Sequence, residues 1–161
     1  MNKLIFHART SLLVIILLLL VASNVFWAYI YLSDEVHDNN CLRENTIALA
    51  IMLAHASTLL REYAENKSID LLGSAYLIVD HALPVAQALC HLTGGSEWKS
   101  LVSAIGSLHD LISGIYQGQR VSKKKLLQVV EVLENLSKAL KNLDLNGIER
   151  YSAKLEDVIY G

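Results

Sequence analysis

The sequence predicts an all-α fold: an N-terminal transmembrane helix followed by an antiparallel up-down bundle of four main helices and a short C-terminal helix. Over half of the 161 residues are hydrophobic, with one proline and eight glycines, and this composition favours helices. Apolar residues recur every three or four positions between short polar turns. We therefore expect residues 1–10 to be a cytoplasmic N-terminus, 11–32 a signal-anchor helix and 33–161 an extracytoplasmic helical bundle.

The first predicted element is the span at residues 11–32. It carries no charge and reaches the length of about 20 residues that crosses a bilayer. Trp27 and two tyrosines close its far end, where an aromatic belt would lie. Lys3 and Arg9 precede it, so the positive-inside rule keeps the N-terminus in the cytoplasm and places the rest outside. A signal peptide cleaved near Ser23 is the alternative, and it gives the domain the same location.

Turn residues then delimit five helices. Gly94-Gly95 and Gly118 are expected to end the second and third, and Ser68, Ser96 and Ser122 to cap the helices that follow the turns. Short connections make neighbouring helices antiparallel. The expected helices are 34–65, 68–92, 97–116, 123–143 and 148–160.

The third and fourth helices show the clearest apolar stripes. Charged residues such as Glu131 and Lys138 occupy the opposite side of the fourth helix, as on a solvated face. The stripes are Leu101, Ile105, Leu108, Ile112 and Ile115 on the third helix, and Leu126, Val130, Leu133, Ser137 and Leu140 on the fourth.

Residues 46–60, TIALAIMLAHASTLL, are apolar on more than one face of the first helix. At about 1.5 Å per residue they reach only about 22 Å, short of the roughly 30 Å of hydrocarbon, which predicts a buried helix outside the membrane. The segment carries two stripes: Ile47, Ile51, Ala54 and Thr58, and behind them Leu49, Leu53 and Leu60. The leucine stripe is the expected interaction face, buried against the bundle or against a second copy of the protein.

Residues 71–92 form a second long apolar segment, interrupted at its centre by Asp80 and His81. An ionised aspartate at the centre of a span costs about 2.5–3.5 kcal/mol, which favours a place in the bundle. A multi-pass protein that uses these two residues inside the membrane is the alternative.

Two cysteines and two sequons fit an exported domain. Cys41 and Cys90 lie at similar distances from the turn at Lys67, which predicts a disulfide between the first two external helices. Asn66 and Asn135 begin N-x-[ST] sequons and are possible glycosylation sites.

No nucleophile, phosphate-loop or dinucleotide motif is present, and no enzyme activity or cofactor is expected. His55, Asp80 and His109 fall at similar heights in three helices and are weak metal-ligand candidates, with a hydrogen-bonded polar layer as the simpler interpretation. Lys123 to Lys125 is the only charge run, and a solvated helix start explains it. The net charge of −2, without a basic face, excludes nucleic acid as an expected partner.

Together these features predict a non-enzymatic, bitopic membrane protein whose external bundle binds a protein partner or a second copy. The alternative is a small multi-pass protein, or a metal-binding accessory subunit of a membrane complex, that uses Asp80 and nearby histidines.

Overall fold

The computed structural model of the protein describes residues 39–161, and this part of the chain is all-α, with five helices and no strands. The predicted cytoplasmic segment and the predicted span at 11–32 lie outside the described residues. The chain divides into two compact units, Met1–Cys41 and Leu42–Gly161, and the second contains the core. The helices are α1 (residues 39–66 in its described part), α2 (Ile69–Thr93), α3 (Ser96–Tyr116), α4 (Lys123–Lys141) and α5 (Leu145–Tyr160).

The helix ends follow the turn residues closely, with one difference before α5. Gly94 ends α2 with a φ of 68°, a left-handed conformation that glycine adopts without strain. The predicted turn at residues 145–147 is instead the first turn of α5, because the Asp144 carboxylate accepts a hydrogen bond from the Gly147 amide at 3.0 Å. The fourth helix accordingly ends at Lys141, and Leu143 has a φ of 53° in the connection.

Serine caps only one of the three helices for which it was predicted. The Ser122 hydroxyl accepts a hydrogen bond from the Lys125 amide at 3.2 Å and caps α4. Ser68 stands at the N-cap of α2 but makes no such bond, and Gly95 replaces Ser96 as the N-cap of α3.

The buried side chains repeat every seven residues along the helices, the spacing of coiled-coil-like packing. The buried face of α2 carries small side chains, since three of its six buried residues are alanine. These positions are Leu72, Ala75, Val79, Ala82, Ala86 and Leu89. The predicted apolar stripes of α3 and α4 are buried, except that Ser137 is half-buried and donates a hydrogen bond to the Ala50 carbonyl oxygen at 2.8 Å.

α5 is a full part of the bundle, because it packs against both α3 and α4. Ser103 of α3 donates a hydrogen bond to the Glu156 carboxylate, and the Tyr160 hydroxyl donates to Ser107 Oγ at 3.1 Å. The two bonds advance by four residues along both helices, so α3 and α5 run parallel.

The predicted burial of the leucine stripe on α1 is confirmed, and of the two predicted alternatives it is the bundle that covers the stripe. Leu49, Leu53 and Leu60 are fully buried in the core of this single chain, so they offer no surface to a second copy. The other stripe is the outer one, since Ile47 is 36% exposed and Ile51 is 65% exposed. Both stripes have helical spacing, and the sequence pattern alone left the two alternatives open.

Candidate functional site

A half-open groove of about 470 Å³ lies between α2 and α3. Each wall contributes three residues with the spacing i, i+3 and i+4, which places them on one helical face. They are Gly73, Tyr76 and Leu77 of α2, and Ser113 and Tyr116 of α3 with Gln117, the C-cap residue directly after that helix.

Gly73 lies at the floor of the groove, beneath the Tyr116 ring. A Cβ added at Gly73 would lie 3.9 Å from Cε2 of Tyr116, so the tyrosine ring lies directly over the helix at this point. A larger side chain at this position would occupy the groove.

Apolar surface is exposed on both walls of the groove. Leu77 is 57% exposed and Tyr116 is 58% exposed, although both belong to large apolar or aromatic side-chain types. Such exposure across one concave surface is typical of a binding site rather than of an isolated surface residue.

A polar cluster adjoins the groove one turn along α2. His109 Nε2 lies 3.6 Å from Asp80 Oδ1, and its Nδ1 lies 3.5 Å from Asp110 Oδ1. The imidazole also stacks against the Tyr76 ring, with 4.8 Å between the ring centroids. The cluster therefore links one groove-lining tyrosine to two carboxylates.

The structure brings together two of the three weak metal-ligand candidates. Asp80 and His109 are neighbours, whereas His55 is an exposed residue of α1 outside their cluster. His81 is an exposed residue outside this cluster, and its Nδ1 lies 2.6 Å from the Leu77 carbonyl oxygen. Within residues 39–161 no group of three acidic, histidine or cysteine side chains could hold a metal ion. The Asp80–His109 contact is instead a polar layer between two helices.

The structure contains no disulfide between Cys41 and Cys90, which corrects that prediction. Both side chains are half-buried. Equal distance from a turn matches the heights of two residues, but a disulfide also requires Cβ atoms about 4 Å apart that face each other. The prediction tested only the first condition.

The two sequons differ in accessibility. Asn66 is exposed at the end of α1, as expected. Asn135 is half-buried in the middle of α4, and its amide donates a hydrogen bond to the Glu131 carbonyl oxygen at 3.0 Å. Glycosylation itself stays a prediction at both positions.

The lysine run at the start of α4 borders a shallow depression of about 400 Å³. Lys124 and Lys125 line it together with Asp157 of α5. The solvated helix start predicted for Lys123 to Lys125 agrees with the exposure of Lys123 and Lys124.

α2 is also the helix that length and composition would allow to cross a membrane. It has 25 residues and a mean hydropathy of 1.3 in its most apolar stretch, of which 28% is buried. Among residues 39–161 no other helix meets this criterion. These properties are compatible with membrane localisation, and they leave the orientation of the chain open.

Sequence reasoning missed the groove, although two signals were present. Gly73 lies in α2 three residues before Tyr76, and the last turn of α3 carries another tyrosine. Neither signal identifies which helices become neighbours. No family model matches this chain, and comparisons with curated proteins and with solved structures find no match.

Proposed function

We propose that this protein is a non-enzymatic, bitopic membrane protein whose helical bundle lies outside the cytoplasm and binds a partner. The observation that carries the proposal is the groove between α2 and α3, with a leucine and a tyrosine more than half exposed on its walls. Its size falls within the roughly 300–1,000 Å³ that is usual for ligand sites.

The membrane anchor in this proposal is the uncharged segment 11–32, and the helices that follow alternate in direction. Alternation would make all odd-numbered helices parallel. The parallel run of α3 and α5 supports this order.

A multi-pass protein in which α2 lies in lipid is the second candidate. The hydropathy and exposure of α2 favour it. Against it, Asp80 and His81 are both exposed at the centre of α2, where lipid would have to accept them. Six residues of α2 also belong to the core of the bundle.

Labelling at the two ends of α2 separates the candidates. Single cysteines are placed at Asn66 or at Ser96, both exposed, in a chain that carries Cys41→Ser and Cys90→Ser. Ser96 is preferable to Gly94, whose φ of 68° makes a Cβ unfavourable. Intact cells are then treated with a membrane-impermeant maleimide, and permeabilised cells serve as the labelling control.

We expect both cysteines to react in intact cells, because a bitopic protein places both ends of α2 outside. Reaction at one site only, with the other labelled after permeabilisation, would show that α2 crosses the membrane and would overturn the proposal. Protection of both sites in intact cells would reverse the proposed orientation.

A further inference from the structure

We propose that the groove between α2 and α3 binds a small organic cation: an ammonium or similar group attached to an apolar body. This inference rests on the proposed binding function of the groove and adds the chemical class of the ligand.

Charge is the first argument. α2 contains no lysine or arginine, and α3 contains only Lys99, which lies 14 residues and therefore about 21 Å before Ser113. Asp70 precedes Gly73 by three residues and Asp80 follows Leu77 by three, so the two carboxylates flank the groove on its α2 side. On α3, Asp110 precedes Ser113 by three residues.

The cationic residues that are nearest to the groove along the chain make contacts elsewhere. Lys67 and Arg120 line a separate depression at the α3–α4 connection. Lys67 Nζ lies 5.0 Å from the centroid of the Tyr63 ring, over its face. On α2 and α3 themselves, the charged side chains nearest to the groove are therefore carboxylates, and this distribution favours a cation over an anion.

The aromatic lining is the second argument. Tyr76 and Tyr116 are the two aromatic residues of the groove, and aromatic faces attract cations with a strength that grows as water is excluded. Leu77 supplies an apolar contact between them, while Ser113 and Gln117 supply neutral hydrogen-bonding groups. A neutral hydrocarbon would gain no attraction from the flanking carboxylates, two of which also contact His109, and a compact inorganic cation would have no apolar body to pack against the rings.

Size is the third argument. A groove of about 470 Å³ that is built on three residues from each wall accommodates a small molecule. A protein partner would require a contact area several times larger.

The test uses the full-length protein in an uncharged maltoside detergent and three probes that share a benzyl group. They are benzyltrimethylammonium, neutral benzyl alcohol and anionic phenylmethanesulfonate, titrated while amide chemical shifts or calorimetric heats are recorded. We expect saturable binding of the ammonium probe, at least about tenfold tighter than either of the other two. Equal affinity for all three, preference for the neutral or anionic probe, or no binding of the ammonium probe would overturn the inference.

Two exposed leucines on α2 provide matched variants. Leu77→Arg places a positive charge on the groove wall, and Leu92→Arg places the same charge at a position of equal exposure, 57%, outside the lining. We expect Leu77→Arg to weaken ammonium binding at least about tenfold, whereas Leu92→Arg leaves it within about twofold. Equal effects of the two substitutions would place the cation elsewhere.

Tyrosine variants give a second, independent comparison. Tyr116→Ala removes a groove ring and Tyr160→Ala removes a ring of similar exposure on α5. Only Tyr116→Ala should reduce the affinity for the ammonium probe, and an unchanged affinity would exclude the aromatic contact. The binding measurements do not depend on the labelling at Asn66 and Ser96. An error in the proposed ligand class can therefore be distinguished from an error in the proposed membrane topology.

Discussion

At the scale of single residues, α1 shows how two side chains two positions apart have opposite roles. Leu53 is fully buried, whereas Ile51 is 65% exposed, although both are large and apolar. Helical geometry separates them by about 200° around the axis, so only one can face the core. The angular position of a residue around the helix axis therefore decides its burial more than its side-chain type does.

This pair gives a direct stability test. Leu53→Glu would bury a charge without a partner, and we expect it to lower the free energy of unfolding by roughly 3–5 kcal/mol or to prevent folding. Ile51→Glu places the same side chain in solvent and should change stability by about 0.5 kcal/mol or less. Denaturant unfolding followed by circular dichroism measures both, and similar losses would show that the outer stripe of α1 is covered.

Only one part of the candidate site could be predicted from the sequence, and that part is a contact between two helices that are adjacent along the chain. Asp80 and His109 were expected at similar heights in neighbouring helices, and they are in contact. His55 satisfied the same height argument but is exposed outside the cluster, because height does not specify the direction of a side chain. The groove depends on the closeness of Tyr116 to Gly73, a distance between helices that no local pattern contains.

At the scale of elements, the helices follow from turn residues and apolar periodicity. The third helix was expected at 97–116 and occupies Ser96–Tyr116, because glycines bound it on both sides. The start of α5 was placed three residues late, because Asn146-Gly147 resembles a turn. The Asp144 carboxylate, which caps the Gly147 amide, allows the helix to begin earlier.

The caps of α2 and α4 provide a test at this scale. Ser122→Ala removes a hydroxyl that accepts from the Lys125 amide, and we expect a loss of about 1 kcal/mol in the free energy of unfolding. Ser68→Ala is the matched control, since Ser68 holds the same helix position on α2 without a side-chain cap bond. If chemical denaturation gives equal losses for the two variants, the Ser122 bond contributes nothing to stability.

At the scale of the whole molecule, the unit Leu42–Gly161 contains one continuous apolar core to which all five helices contribute. The contacts between helices were not predictable from the sequence. α5 was expected as a short C-terminal helix beside four main helices, and it contacts both α3 and α4.

The independence of this unit is testable with a fragment of residues 39–161. We expect the fragment to be soluble without detergent, helical by circular dichroism and cooperative in thermal unfolding, because its buried residues come from within it. Leu101→Asp in the same fragment is the control that disrupts the core, since Leu101 is fully buried. A fragment that requires detergent to remain in solution would favour a membrane location for α2.

The alanines on the buried face of α2 have a consequence for local opening of the fold. A buried alanine removes far less apolar area from water than a buried leucine, so α2 is attached by weaker contacts than a leucine-lined helix. Segments with less buried apolar area open locally at a lower free energy than segments with more. Within residues 39–161, α2 is also the helix whose composition would tolerate hydrocarbon after it leaves the bundle. The segment that forms one wall of the groove is thus held to the bundle by a buried face in which alanine is interspersed with larger residues.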